Sequence, residues 1–198
     1  CEDADPIHAA KGAAAVKFLN TGQACISPNR MFVHRRSLEP FTKELVKRVG
    51  RLRAGNGLED GIGIGPLVNE KAISKVARQV DDAIDNGASL LAGGHRLVDN
   101  GLDKGTFFAP TVLSEVTEQM LIYREETFGP VAAIVPYDDD DDVVAMANDT
   151  QYGLAAYVYT NQMSRAMRLF ESLNFGIVGI NDINPTAAAA PFGGVKES

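Results

Sequence analysis

The feature that most constrains this chain is the alternation of strand-type and helix-type segments along its whole length. Val131–Val135 is a continuous apolar run, typical of a strand covered on both faces of a sheet. Helical spacing of apolar residues follows Ser37 and again Asn69. Further strands are predicted at 30–35, 89–92, 111–113, 154–159 and 176–180, and further helices at 6–20, 140–148 and 162–173. The alternation predicts one α/β domain, with three αβα layers around a mostly parallel sheet.

Composition narrows the possible partners. The chain is 45% hydrophobic and carries a formal net charge of -7, which argues against a nucleic-acid or anionic-membrane surface. No apolar run approaches the ~20 residues of a membrane span, and the first residues lack the pattern of a signal peptide. Cys1 and Cys25 are the two cysteines, and such sparse use indicates a reducing compartment. We therefore expect a cytoplasmic protein without nucleic-acid or membrane partners.

Neither the acidic run nor the glycine-rich run of this chain predicts a ligand site. Asp138–Asp142 is expected to form a solvated turn and a helix N-terminus, because consecutive carboxylates do not converge on one ion. No metal site is therefore expected. Gly61–Pro66 lacks a third glycine at the spacing of a dinucleotide fingerprint and opens no helix directly, so it is not interpreted as a nucleotide loop.

A single thiol lies on the connection between the first predicted helix and the first predicted strand. The segment 18–27 reads FLNTGQACIS, which places Cys25 in a polar turn. A cysteine on such a connection is a candidate nucleophile. A buried free cysteine that packs as a small apolar side chain is the alternative, and the turn alone does not decide between the two.

Three separated motifs follow one another along the chain. They are Phe18-x-x-x-Gly22-Gln23-x-Cys25, then Glu125-Glu126-x-Phe128-Gly129-Pro130, then Pro191-Phe192-Gly193-Gly194-x-Lys196-x-Ser198. Together, in that order, they resemble the NAD(P)-dependent aldehyde dehydrogenase superfamily. The resemblance covers residues 1–198 and implies the thiol-bearing catalytic domain alone. It implies a nucleotide-binding domain before this chain, a C-terminal oligomerisation segment after it, and a homo-oligomer in the full-length form.

The resemblance also implies roles for individual residues. Cys25 matches the nucleophile that attacks a small aldehyde, giving a thiohemiacetal and then a thioester. Glu126 matches the carboxylate that binds the nicotinamide ribose of NAD or NADP, and Phe128 matches the aromatic near the nicotinamide. Phe192 matches an aromatic at the substrate tunnel. The family's general-base glutamate and oxyanion asparagine would precede residue 1, and Glu125 is interpreted as a surface or loop carboxylate.

Within the superfamily, the sequence of this chain resembles the succinate-semialdehyde dehydrogenase branch. The residues that carry this likeness are Gly22-Gln23-x-Cys25, Ser27-Pro28-Asn29-Arg30 and the ending from Pro191 to Ser198. The branch commonly has an arginine where this chain has Leu19, and the segment 186–190 offers no charged group. A substrate carboxylate would therefore lack a bidentate partner here. Succinate semialdehyde or a related small aldehyde is expected, with a neutral aldehyde as a competitor.

Two other functions compete with this interpretation. A cysteine acyltransferase or thiol hydrolase would need a base near Cys25, and His34 is the histidine close to it in sequence beyond the first helix. The other possibility is that the chain in isolation is an inactive scaffold, because half of the expected site lies outside it.

Overall fold

The computed structural model describes residues 1–184, 186 and 188–198, with only the backbone described for residues 140 and 141. The helices are α1 (Pro6–Lys17), α2 (Arg35–Val49), α3 (Glu70–Asp85), α4 (Leu121–Arg124), α5 (Asp140–Asn148) and α6 (Met163–Ser172). The strands are β1 (Met31–His34), β2 (Ser89–Ala92), β3 (Thr111–Ser114), β4 (Val131–Tyr137), β5 (Ala155–Val158) and β6 (Ile177–Ile180). Short 3-10 segments cover Leu19–Gly22 and Asp99–Lys104.

The strands divide between two sheets. In the larger sheet β4 lies between β1 and β3 and runs parallel to both, while the edge strand β2 is antiparallel to β3. In the smaller sheet β5 pairs with β6 in parallel. The prediction of a mostly parallel sheet is confirmed. A cavity lined by residues of both β1 and β5 lies where the two sheets face each other.

Both faces of β4 are covered, as its apolar sequence predicts. Val131, Ala133 and Val135 pack in a cluster with the apolar side of α3. Ala132 and Ile134 point the other way and pack with α1 and α2. Alternate residues of a strand face opposite sides of a sheet, so the two clusters are the two outer interfaces of a helix–sheet–helix sandwich. The three-layer prediction is confirmed.

Local side-chain chemistry sets where the helices begin. Asp5 caps α1 by accepting from the N–H groups of Ile7 and His8, and Asn69 caps α3 by accepting from the Ala72 N–H. The helix predicted from Ser37 instead begins at Arg35, because the ring of His34 accepts the Arg36 N–H and acts as the cap. The helix within the aspartate run begins at Asp140, as predicted, while the side chains of residues 140 and 141 lie outside the described part.

The first helix ends earlier than its alanine-rich sequence indicates. It was expected to reach about Asn20 but stops at Lys17. Asn20 and Thr21 adopt left-handed backbone conformations, with φ of 49° and 62°, and Gly22 follows at φ 74°. Such angles cannot continue a right-handed helix. The chain therefore turns sharply just before the thiol.

Parallel pairing brings the first two motifs to one edge of the larger sheet. The thiol segment leads directly into β1, and the Glu125–Pro130 segment leads directly into β4. Because β1 and β4 are parallel neighbours, the segments entering them lie at the same edge. The fold thus brings the Cys25 segment to the same edge as the Glu126 segment, which lies about one hundred residues further along the chain.

Candidate active site

Cys25 lies at the tip of a tight turn. The Ser27 N–H donates to the Ala24 carbonyl at 2.9 Å, which closes a four-residue turn around Cys25. The thiol is exposed and forms no disulfide. The interpretation of this cysteine as a buried apolar side chain is therefore excluded for the described structure, and the thiol is accessible to a small electrophile.

The backbone before the thiol is held in an unusual conformation by side chains. Thr21, a β-branched residue at positive φ, accepts the Gly65 N–H at 2.9 Å through its Oγ1. Gln23 accepts the Val68 N–H at 2.9 Å and donates to the Pro66 carbonyl at 3.2 Å. These contacts fix the turn to the loop that precedes α3. Backbone strain maintained by surrounding contacts is common at functional sites.

Two further bonds hold the residues after the thiol. Ser27 donates through its hydroxyl to the Lys17 carbonyl at 3.1 Å, which satisfies an acceptor at the end of α1. The Tyr157 hydroxyl donates to the Ile26 carbonyl at 3.0 Å. Burial raises the pKa of Tyr157 to about 12, with additional contributions from Tyr159 and Cys25. Tyr157 therefore stays a neutral donor across the physiological range.

Glu125 and Glu126 have different surroundings although they are adjacent. The Glu125 carboxylate accepts from Arg78 at 2.7 Å and from Gln79 at 3.2 Å, so it is bound to α3. The Glu126 side chain is exposed, and its carboxylate makes no hydrogen bond within the described part of the chain. Lys75 instead holds the Glu126 backbone carbonyl at 3.2 Å. The free carboxylate oxygens of Glu126 remain available to hydroxyl donors.

The first two motifs touch through their glycines. Gly22 has a φ of 74°, and a Cβ atom built there would overlap the Gly129 carbonyl oxygen. Glycine is therefore required at this position for two reasons, the left-handed backbone and the close approach. The contact fixes the thiol turn directly against the strand entry that carries Glu126.

Cys25 and Glu126 also line one cavity of about 320 Å³. Its wall includes Tyr157, Phe175 and Ser198 as well. A cavity of this size suits a small ligand. The other predicted site residues, Leu19, Phe128 and Phe192, are not among its described lining residues; they are exposed on the surface, at 52%, 38% and 55% respectively.

A buried lysine, Lys17, lies near Glu126. Lys17 is only 1% exposed, although it is at the last turn of α1 where a lysine would ordinarily reach solvent. Burial lowers the pKa of Lys17 to about 7, and the nearby charge of Glu126 partly opposes this.

The third motif folds onto the strand entries of the smaller sheet. The Val195 N–H donates to the Gly153 carbonyl at 3.2 Å, and the Gly153 N–H donates to the Ser198 hydroxyl at 3.0 Å. Lys196 donates to the carbonyls of Asn148 and Thr150, and its ammonium lies 5.1 Å from the centre of the Phe175 ring. Ser198 thereby reaches the cavity that Cys25 lines.

His34 is not arranged as a base for the thiol. Its Nδ1 accepts the Arg36 N–H at 3.2 Å, so the proton lies on Nε2, which donates to the Asp138 carbonyl at 3.1 Å. Both ring nitrogens are thus engaged in capping α2 and holding the end of β4. This arrangement weakens the acyltransferase or hydrolase interpretation. Within the described residues, no group of three or more His, Cys, Asp or Glu is arranged to hold a metal ion.

Comparison with known proteins identifies the family. The model of the aldehyde dehydrogenase family matches residues 1–198. The chain belongs to the aldehyde dehydrogenase family. It is 44% identical over 197 residues to succinate-semialdehyde dehydrogenase (NADP(+)) of Escherichia coli strain K12, covering 100% of this chain and 40% of that protein. It is 45% identical over 196 residues to a non-phosphorylating aspartate-semialdehyde dehydrogenase of Halomonas elongata, covering 99% of this chain and 39% of the relative.

Solved structures of family members share the fold. Succinate-semialdehyde dehydrogenase from Burkholderia pseudomallei matches with a TM-score of 0.94 at 44% identity, covering 98% of this chain and 39% of that one. A 3,6-anhydro-L-galactose dehydrogenase in complex with NAP matches with a TM-score of 0.95 at 35% identity, covering 99% and 41%. The chain thus spans about two fifths of the length of these aldehyde dehydrogenases. No helix in its described part has the length and apolar character needed to cross a bilayer.

Sequence reasoning did not single out several residues that shape this site. Thr21, Lys17 and Tyr157 act through contacts with residues distant in sequence, and nothing in their local sequence indicates those contacts. Asn29 had a weak signal, since it is an uncharged polar residue just before a strand, where such side chains often bind backbone groups.

Proposed function

We propose that this aldehyde dehydrogenase chain is the thiol-bearing part of an enzyme that oxidises a small aldehyde to a carboxylic acid with NAD or NADP. The observation that carries the proposal is the exposed Cys25, held in a clamped turn on the same cavity as the free carboxylate of Glu126. An accessible thiol beside a carboxylate able to bind hydroxyl groups fits a nucleophile next to a dinucleotide. The names of relatives, which include NADP(+), support the cofactor class.

The chemistry at Cys25 proceeds in three changes. The thiolate attacks the aldehyde carbonyl carbon and forms a thiohemiacetal, whose oxyanion the Cys25 N–H can stabilise. That N–H makes no other hydrogen bond in the described part of the chain. Loss of a hydride from the former aldehyde carbon leaves a thioester. Water then attacks the thioester, releasing the carboxylic acid and restoring the thiol.

Glu126 and Phe128 are the residues of this chain that would hold the cofactor. The Glu126 carboxylate has its oxygens available to accept from ribose hydroxyls, and the Phe128 ring is exposed two residues further on. When bound, NAD or NADP supplies the hydride acceptor. The general base and a second oxyanion donor are proposed to come from the part of the enzyme that this chain does not include.

The substrate is proposed to be succinate semialdehyde or a related small aldehyde. The names of relatives, which include succinate-, aspartate- and glutarate-semialdehyde dehydrogenases, support a semialdehyde. Leu19 offers no charge to a carboxylate. Among the cations on the cavity wall, Arg30 is bound to the carbonyls of Met146 and Ala147, and Arg124 is paired with Asp149. An anchor for the substrate carboxylate, if the substrate has one, is therefore proposed to lie outside this chain.

We also propose that the full-length form is a homo-oligomer in the cytoplasm, with the nucleotide-binding part of the same enzyme as the main partner of this chain. Exposed apolar side chains support the proposal that other parts of the assembly cover this surface. They are Leu90 and Leu91 on the edge strand β2, and Met163, Met167 and Phe170 on α6. The sparse use of cysteine, with two in 198 residues, supports a reducing compartment. Phe192, which is also exposed, is proposed to contact substrate once the remaining parts are present.

The proposal is tested by removing the thiol in the full-length enzyme. We expect Cys25→Ala to abolish reduction of NAD(P) by succinate semialdehyde while cofactor binding persists, because the thiol makes the covalent adduct and Glu126 is intact. Steady-state turnover and a cofactor titration measure the two properties. Cys1→Ser is the matched control and should retain turnover. Substantial turnover by Cys25→Ala would show that Cys25 is not the nucleophile.

The cofactor role is tested by comparing the adjacent carboxylates. Glu126→Gln should slow hydride transfer by an order of magnitude or more, since a misplacement of ~1 Å can cost about a hundredfold. Glu125→Gln keeps a side chain of the same size against Arg78 and Gln79 and should change this rate much less. Single-turnover formation of reduced cofactor gives the rate. The opposite ranking would assign the cofactor contact to Glu125.

A further inference from the structure

Asn29 joins the thiol segment to the Glu126 segment. It lies four residues after Cys25 and just before β1. Its Nδ2 donates to the Ile122 carbonyl and to the Glu125 carbonyl, both at 3.0 Å. Its Oδ1 accepts the Thr127 N–H at 2.9 Å. One side chain thus binds backbone groups on both sides of Glu126.

The hydrogen-bonding capacity of this carboxamide is used almost fully. A primary amide has two N–H hydrogens, and those of Asn29 go to the backbone carbonyls of Ile122 and Glu125. The Oδ1 of the same amide accepts the Thr127 N–H. No other natural side chain of this length offers two donors and an acceptor in one plane. Aspartate could still accept the Thr127 N–H, but its second, negatively charged oxygen would face the Ile122 and Glu125 carbonyl oxygens and be repelled by them.

The remaining contacts of the Glu126 backbone come from other elements. Lys75, on α3, reaches the Glu126 carbonyl at 3.2 Å through a flexible chain. Gly22 contacts Gly129, three residues beyond Glu126. Within the described residues, the side chain of Asn29 therefore connects the segment between Cys25 and β1 to the residues on either side of Glu126. Its side chain is short and has only two rotatable bonds, so it holds the two segments at a nearly fixed distance from each other.

We propose that Asn29 is a positioning residue for hydride transfer, whose carboxamide sets the Glu126 carboxylate relative to the Cys25 thiol. The inference rests on the proposed function, since it assigns Glu126 to the cofactor and Cys25 to the aldehyde. Asn29 does not touch the reacting atoms. It acts through the backbone of residues 122–127, and its loss should shift the cofactor-binding carboxylate while leaving the thiol turn, which Thr21, Gln23 and Tyr157 hold separately.

The experiment uses the full-length enzyme with Asn29→Ala and Asn29→Asp. For each variant, single-turnover hydride transfer, the cofactor dissociation constant and the rate of Cys25 alkylation by iodoacetamide are measured. We expect hydride transfer to fall by about a hundredfold, as for a ~1 Å misplacement. We expect cofactor binding to weaken and the alkylation rate to stay at the wild-type value. Asn29→Asp should be at least as impaired as Asn29→Ala, and it provides the test if the alanine variant does not fold.

A matched control separates the positioning of Glu126 from a general loss of stability. Asn148 makes the same kind of backbone clamp, donating to the Ser172 carbonyl and accepting the Asn174 N–H, both at 2.8 Å. Asn148→Ala should lower stability without the selective loss of hydride transfer. Equal falls in alkylation and hydride transfer in the Asn29 variants would make Asn29 merely structural and overturn the proposal.

The result also distinguishes this inference from the proposed function. Wild-type rates in both Asn29 variants, beside an inactive Cys25→Ala enzyme, would refute the role of Asn29 alone. A wild-type full-length enzyme that reduces neither NAD nor NADP with any small aldehyde would refute the proposed function, and the role of Asn29 with it.

Discussion

At the scale of single residues, Lys17 is the most unusual side chain near the thiol. Its ammonium is buried at the end of α1, and the opposing charge is that of Glu126. Burying an ammonium disfavours its charged form, so the folded protein binds the proton on this lysine less tightly than the unfolded chain does. The same residue also offers its carbonyl to Ser27 in the thiol turn. Its charge state therefore bears on stability.

The pH dependence of stability should report this lysine. The pKa of Lys17 is lowered from 10.5 to about 7. Below pH 7 the group is protonated in both states, and the buried charge penalises folding. Between pH 7 and 10.5 the unfolded chain holds the proton and the folded protein does not, so stability rises with pH, by at most about 1.4 kcal/mol per pH unit. Lys17→Met should remove this rise and stabilise the chain near pH 7.

Urea unfolding of the 198-residue chain at several pH values measures the effect. Lys11→Met is the matched control, because Lys11 lies on the same helix and is exposed. Its free energy of unfolding should follow pH as the wild type does. Glu126→Gln should enlarge the effect, since Glu126 opposes the shift. Identical pH profiles for Lys17→Met and Lys11→Met would contradict a buried Lys17 ammonium.

At the scale of elements, the thiol turn depends on the strand entry that it contacts. Three successive residues at positive φ follow the end of α1, and the glycine among them packs against the Gly129 carbonyl. The turn is fixed by Thr21 and Gln23 on one side and by Ser27 and Tyr157 on the other. Its geometry is therefore a property of several elements that meet, and a change at the glycine should disturb all of them.

Gly22→Ala should disrupt the turn. The new Cβ would overlap backbone, which cannot rotate away as a side chain can, and the residue would be held at φ 74°. We expect a loss of about 2 kcal/mol or more of stability, together with a large fall in turnover of the full-length enzyme. Gly57→Ala is the control, since its Cβ would meet open space. Chemical denaturation and steady-state kinetics measure both variants; equal behaviour would show that the turn tolerates a side chain.

The elements that were predictable from sequence are those with local signals. Asn69 as a cap, Ser89–Ala92 as a strand and Asp140–Asn148 as a helix follow from capping chemistry and periodicity, and the structure confirms them. The early end of α1 was missed because alanine propensity favours continuation, while contacts of Thr21 with a distant loop favour the turn. The clamp made by Asn29 was missed because its partners lie about one hundred residues away.

At the scale of the whole molecule, the chain carries one side of a site. It contributes a thiol, a free carboxylate and the turn that relates them, while it spans about two fifths of the length of its relatives. His34, the histidine considered as a base, is used in capping α2. Under the proposed function, thioester hydrolysis and dinucleotide binding would therefore require groups beyond those described in residues 1–198.

We expect the isolated 198-residue chain to show no NAD- or NADP-dependent oxidation of succinate semialdehyde, because positioned cofactor and base contribute most of the rate. The Cys25 thiol should nevertheless remain reactive, since it is exposed and its turn is held by contacts within the chain. Formation of reduced cofactor, followed by absorbance, and alkylation of Cys25, followed by mass spectrometry, test the two statements on one sample, with the full-length enzyme as the positive control. Reduced cofactor produced by the pure chain, and lost in its Cys25→Ala variant, would show that residues 1–198 contain a complete site.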